Sequence, residues 1–177
     1  MRCAFLLTIF LALTCTSTAL AQAPDAAALA KQAKEDLALA EEYIDHYRHA
    51  RGAELQRFYT AATVWEDPAY KVELRGGEAI LKELLPQLED LTVDHFEVKE
   101  RFASPRGVVI LLFDVQGSLP GPQGRRRFDA PVLVRLKVAD GKVLLHQDYP
   151  DYTCFAMQSE AQASGELTYD DLPACPD

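Results

Sequence analysis

The 177-residue chain reads as an α+β domain, with helices packed on one face of a curved antiparallel sheet. Three observations predict this. Apolar residues recur at spacings of three and four through the first half of the sequence. After Leu91 the pattern changes to long apolar runs of strand type. An Asp140-Gly141 pair then sits between two such runs, a strong hairpin signal.

Asp25, a capping residue, opens a long helix that stops before Gly52. Leu29, Ala33, Leu37, Ala40, Ile44 and Tyr47 form its apolar stripe, with Lys31, Lys34, Glu35, Glu41 and Glu42 on the other side. Tyr43 and Tyr47 stand one turn apart, so both rings can flank one space. A shorter helix spans 53–59, with Leu55, Phe58 and Tyr59 apolar. Thr63-Val64-Trp65 reads as a short strand, ended by Asp67-Pro68. Gly76-Gly77 is a break, and a third helix follows over 78–85. Pro86 is expected to terminate or kink it. Four strands come next, over 91–103, 107–119, 125–138 and 143–149. Residues 153–177 form a polar, acidic tail.

The ends of the chain are read separately. Residues 1–21 carry Arg2, an apolar core from Ala4 to Leu13, and Ala19-Leu20-Ala21, which is the layout of a secretory signal cut after Ala21. The domain is then 22–157, with 158–177 as a tail. The formal net charge is −9, and losing Arg2 with no acid makes it −10. A chain this acidic is repelled by nucleic acid and by anionic membranes. Arg125-Arg126-Arg127 is the one basic cluster and reads as a solvated strand end. Of four cysteines, Cys154 and Cys175 lie beyond the signal, and export makes them a disulfide that ties down the tail. No metal-ligand spacing, phosphate loop or nucleophile elbow is present, so no metal or cofactor is expected.

The hairpin sets an expected register. Val138 faces Val143, and counting outward Arg135 meets His146 and Leu133 meets Asp148. Phe128, Ala130, Val132, Val134, Leu136, Val143, Leu145 and Tyr149 then form an apolar face. His146, Asp148 and Arg135 share the other. A carboxylate beside a histidine tunes it for proton transfer near neutral pH. The same three residues also suit a cross-strand salt bridge on a solvated face.

Four local motifs bring in a resemblance. They are Leu55-x-x-Phe58-Tyr59 before Val64-Trp65-Glu66-Asp67-Pro68; Arg75-Gly76-Gly77-Glu78-Ala79-Ile80; Asp140-Gly141-Lys142-Val143; and His146-Gln147-Asp148-Tyr149-x-Asp151. In this order they resemble the nuclear transport factor 2-like superfamily, and within it the SnoaL-like group. The resemblance covers about residues 37–155. It implies a cone: a strongly bent antiparallel sheet, barrel-like, wrapped around about three N-terminal helices, with a pocket between them. It implies acid–base chemistry of the isomerase, cyclase or epoxide-hydrolase kind, with Asp148 as general acid/base, His146 beside it and Asp67 at the rim. Tyr43, Tyr47, Tyr59 and Trp65 would line the cavity, and the register adds Arg135. Gln147 and Pro150 stand where the cyclases often carry aromatic residues.

Three functions follow as expectations. One is an exported domain, periplasmic or extracellular, that binds a small hydrophobic or aromatic molecule. Another is an acid–base enzyme using Asp148 with His146. The last is a non-catalytic accessory module, a homodimer through its sheet face. The sheet face that carries His146 and Asp148 separates the second from the others.

Overall fold

The structure, a computed structural model, describes residues 25–122 and 124–176. The expected signal segment, 1–21, lies outside the described residues. Helix α1 spans Ala26–Arg48, and the Asp25 side chain caps it by accepting from Ala27 N–H. Its stripe of Ala40, Tyr43 and Ile44 is buried, as amphipathic spacing requires. Helix α2, Gly52–Gln56, is a short turn that buries Leu55.

Strands β1 (Val64–Asp67) and β2 (Val72–Arg75) form a hairpin. β2 is an element the sequence reading lacks. Its side chains are mostly exposed, so no alternation marks it. Helix α3 runs from Gly77 to Asp90 and passes through Pro86. The expected stop at Pro86 is therefore corrected. Proline forfeits one donor to the preceding turn, yet Leu88 beyond it still packs on the core and keeps the helix in place. The glycine that opens α3 is required: a Cβ on Gly77 would lie 2.5 Å from Tyr59 Cβ.

Four long strands follow: β3 (Thr92–Ala103), β4 (Val108–Gly121), β5 (Gly124–Ala139) and β6 (Lys142–Pro150). Among the described residues the sheet is six-stranded, in the order β2-β1-β6-β5-β4-β3. It has two free edges and does not close into a barrel. β1 pairs parallel to β6, so the sheet is mixed rather than purely antiparallel. α1 packs on β3, β4 and β5, and α3 packs on β1 and β2. The core lies between these helices and the inner sheet face, around Leu111, Phe113, Val134 and Leu136.

The β5–β6 turn is as expected. Asp140 and Gly141 have φ of 50° and 71°, and Val138 faces Val143. One residue later the register departs from expectation. Lys137 pairs with Leu145, which leaves Leu144 as the extra residue of a β-bulge. The bulge sits where Val143 is held from the other side. Its N–H donates to Phe58 O at 2.9 Å, and its C=O accepts from Thr63 Oγ1 at 2.7 Å. Beyond the bulge every β6 side chain changes face. Leu136 now meets His146, Val134 meets Asp148, and Arg135 meets Gln147.

The tail is more ordered than its composition suggests. Helix α4 spans Tyr152–Ala161, and a 3-10 turn covers Tyr169–Asp171. β6 ends opposite Val132, so the start of β5 has an open edge. Gln158 of α4 and Gln162, the residue that caps its C-terminus, close it. Gln158 accepts from Asp129 N–H at 2.9 Å and donates to Asp129 C=O at 2.8 Å. Gln162 does the same to Arg127, at 2.9 and 2.7 Å. Four helical residues rise about 6 Å and two strand residues about 6.6 Å, so the two spacings match. A disulfide joins Cys154 of α4 to Cys175.

Replacing Gln158 by Leu should strip both main-chain groups of Asp129 of their partner and cost about 1–3 kcal/mol in denaturant unfolding. A change within a few tenths of a kcal/mol would mean that water takes over the edge. Reducing Cys154–Cys175, which are 21 residues apart, should cost about 3 kcal/mol in the chain-entropy picture. The check is calorimetric unfolding with and without reductant.

Candidate functional site

The bulge turns His146 and Asp148 to the inner face. The His146 side chain is fully buried, and that of Asp148 is 16% exposed. A fully buried imidazole needs partners for both nitrogens. His146 Nδ1 lies 2.7 Å from Tyr43 Oη, and Nε2 lies 2.7 Å from Asp148 Oδ1. Tyr43 Oη lies 2.8 Å from Tyr59 Oη, and Tyr47 donates to Asp148 Oδ2 at 3.2 Å. The result is one chain from Tyr59 through Tyr43 and His146 to Asp148, with Tyr47 on the far oxygen.

Donor and acceptor roles follow from the ends. An ionised Asp148 only accepts, so His146 Nε2 carries the proton and Nδ1 accepts from Tyr43. Tyr43 then accepts from Tyr59. Every polar atom of the chain is satisfied with one carboxylate and one neutral imidazole. The phenols match this state. Burial holds the Tyr43 hydroxyl well above the ordinary tyrosine range, helped by Tyr59 and Tyr47. Burial does the same for Tyr47, with the Asp148 charge adding to it. Tyr59 is also raised, chiefly by burial.

The elements deliver these groups from far apart in sequence. Tyr43 and Tyr47 come from successive turns of α1, Tyr59 from the α2–β1 connection, and His146 and Asp148 from β6. Trp65 lies beside His146 in the parallel β1–β6 pair, with the two ring centroids 6.3 Å apart. Its Nε1 is buried and makes no hydrogen bond among the described residues.

Asp148, Tyr47 and Trp65 line a cavity of about 320 Å³. That is the lower end of the range for small-molecule sites. Its other walls are mostly apolar, with Leu84, Phe96, Phe113 and Val132 among them. A wider outer chamber of about 790 Å³ shares Trp65, Asp67, Tyr152 and Phe155 with it.

The expected site residues therefore divide. Tyr43, Tyr47, Tyr59, Trp65, His146 and Asp148 come together, but of the four aromatic residues expected to line the cavity only Tyr47 and Trp65 do so, while Tyr43 and Tyr59 are buried in the hydrogen-bonded chain behind it. Asp67 also lines both chambers, but its oxygens are occupied. Oδ1 accepts from Ala69 and Tyr70 N–H at 3.0 and 3.1 Å, and Oδ2 accepts from Tyr152. It holds the β1–β2 turn and α4 at the rim. Arg135 is on the outer face, corrected by the bulge. It donates to Gln147 Oε1 at 2.6 Å, and Gln147 donates to Glu66 at 2.6 Å. Tyr149 also points outward and is 41% exposed. The sequence reading missed Tyr152 and Phe155 of α4. The available signal was Asp151, whose side chain caps that helix by accepting from Cys154 N–H at 2.9 Å.

The fold and the buried His146–Asp148 pair can be set beside known proteins. The sequence profile of the SnoaL-like domain matches residues 40–146, more than half of the chain. The chain belongs to the SnoaL-like domain family. That family includes cyclases, isomerases and epoxide hydrolases. Among curated proteins, no sequence matches it significantly. Solved structures match the fold. A protein of Shewanella putrefaciens, proposed to be a SnoaL-like polyketide cyclase, superposes with a TM-score of 0.64 at 19% identity, over 72% of this chain and 98% of that one. An LEH-like epoxide hydrolase of M. tuberculosis gives 0.60 at 16%, over 72% and 90%. A Catenulispora acidiphila protein with a ketosteroid isomerase-like fold gives 0.58 at 18%, over 76% and 97%. At such identities the likeness is one of fold: the SnoaL-like cone, with the open six-stranded sheet described above.

The raised phenols make stability depend on alkaline pH. The unfolded chain ionises these tyrosines near pH 10, while the folded chain keeps their protons to higher pH. Their stabilising effect is complete below about pH 10 and is lost above it. Each contributes up to about 1.4 kcal/mol per pH unit until its folded form also ionises. Urea midpoints between pH 9 and 11.5 should fall steeply, and less steeply in Tyr43→Phe. Equal slopes in the two proteins would contradict the assignment.

Proposed function

We propose that this SnoaL-like domain performs acid–base chemistry on a small, largely apolar molecule, with Asp148 as the proton-transferring group. One observation carries the reading: Asp148 is the carboxylate at the end of the buried His146–Tyr43–Tyr59 chain, and it faces an apolar cavity. Two donors hold its oxygens in place and give the carboxylate a fixed direction toward the cavity. It is suited to take a proton from a carbon next to a carbonyl, or from a water attacking a strained ring, and to return it. His146 orients the carboxylate through Nε2–H, and Tyr43 fixes the tautomer.

Binding without turnover is the second reading, and it has its own support. Both Tyr47 and His146 direct their donors at Asp148 and offer none to a developing oxyanion, which leaves that task to the Trp65 Nε1–H, unpartnered among the described residues. The homodimer through the sheet face remains a proposal. Export does too, and the Cys154–Cys175 bond favours it, since such bonds persist in oxidising compartments.

The test is proton exchange. A panel of apolar cyclic ketones is incubated with the protein in heavy water, and loss of the α-proton signal is followed by NMR. Exchange above the buffer rate is expected for at least one ketone, with Asp148→Asn lowering it by at least about a hundredfold while retaining the ligand. Exchange that survives unchanged in Asp148→Asn would sink the assignment. Binding with no exchange in either protein would favour the second reading.

A further inference from the structure

The inner face of β5 ends in a charge. Phe128, Ala130, Val132 and Val134 alternate along that face and are buried or half-buried. Two residues before Phe128, in the same parity, stands Arg126. It pairs with Leu119 of β4 and lines the outer chamber that continues from the apolar cavity. Its two neighbours in sequence are committed elsewhere. Arg125 donates to Ser118 and to Asp90 C=O. Arg127 meets Glu166 at 3.4 Å and donates to Leu167 C=O. Arg126 makes one hydrogen bond, from Nη1 to Ser159 Oγ at 2.9 Å, and has no carboxylate at ion-pair distance among the described residues. A guanidinium has five N–H donors in a planar fork. The other donors of this fork have no partner among the described residues.

We infer that the ligand of this cavity is an amphipathic anion, a long-chain or fused-ring carboxylic acid, and that Arg126 holds its charged end. The inference rests on the reading of the cavity as a ligand chamber with Asp148 inside it. Electrostatics sets the orientation. An anionic group beside Asp148 would be repelled, and Arg48, the cation that lines the inner cavity, is already paired with Asp45 at 2.7 Å, while Arg126 attracts the anion at the mouth. Asp148 pairs with Val134, eight residues along β5 from Arg126. At about 3.3 Å per residue their backbones are roughly 26 Å apart along the strand, and both side chains reach inward. The body between them must be long and apolar, like the wall it lies on. Two acids share the outer chamber with Arg126. Asp67 is occupied by Ala69, Tyr70 and Tyr152, and Glu83 of α3 makes no ion pair with Arg126. Neither neutralises Arg126. The chain is acidic overall, with a net charge of −9, so a local cation is what permits an anionic ligand to approach.

The test uses a matched pair of fluorescent probes, dansyl-undecanoic acid and its methyl ester, titrated into the full-length protein. The acid should bind about tenfold more tightly than the ester, the gain expected of one charge-assisted contact. Arg126→Gln should erase that preference and leave the ester affinity unchanged, and Arg126→Lys should recover part of it. Equal binding of acid and ester to the native protein would overturn the anion site while leaving the chamber intact. An equal loss for both probes in Arg126→Gln would also overturn it, by making Arg126 a structural residue. If neither probe binds, the chamber reading itself falls, and the anion site with it.

Discussion

A histidine with no exposed surface is the constraint on which the rest of this fold depends. His146 can be buried only if both ring nitrogens find partners, since each orphaned group costs about 1–3 kcal/mol. One partner, Tyr43, comes from α1, more than a hundred residues earlier. The other, Asp148, comes from the same strand. The first long helix is thereby keyed to the last strand by direction as well as by apolar contact. Tyr59 and Tyr47 extend the same network, so a polar string runs through an otherwise apolar core with its ends satisfied. Such networks rigidify a core when complete and destabilise it when broken.

The network exists because β6 carries a bulge. Without Leu144 as an unpaired residue, the hairpin register would set His146 and Asp148 across from Arg135 and Leu133 on the outer face. With it, the outer face receives Gln147, bridged between Arg135 and Glu66, and Tyr149. The same segment thus supplies an ordinary polar ladder on one side and a buried histidine–carboxylate pair on the other. Val143 is anchored from the α2–β1 connection at this point, which ties the bulge to the loop that also delivers Tyr59.

The C-terminal segment completes the cavity rather than merely following it. Gln158 and Gln162 replace the missing strand along β5, and the Cys154–Cys175 bond fastens the tail to the same helix. This fixes Tyr152 and Phe155 at the junction of the inner and outer chambers. Asp67 contributes there as a joint, linking the β1–β2 turn to Tyr152. Its place is better described as architecture at the rim than as chemistry.

Much of this was legible in the residues. Periodicity located α1 and the strands β4 and β5, because each buries one stripe, while β3 and β6 were marked by their apolar residues. Asp140-Gly141 located the hairpin, because few residues tolerate positive φ twice in succession. The spacing of Tyr43 and Tyr47 put both rings on one side of a helix, and the cysteine count implied their bond. The four ordered motifs, through their resemblance to the SnoaL-like group, pointed to the cone and to His146 and Asp148 as a candidate pair. Other features were decided only in three dimensions. The bulge depends on the hydrogen bonds that Val143 donates to Phe58 O and accepts from Thr63, some eighty residues away, and no local pattern encodes them. β2 has no buried face to betray it, α4 has polar residues buried against a strand edge, and Pro86 sits in a helix that tertiary packing maintains. The sequence by itself determined which residues could do acid–base chemistry and that two of them share a side of one strand. Which side that is was settled by tertiary structure, since one unpaired residue reverses every side chain beyond it.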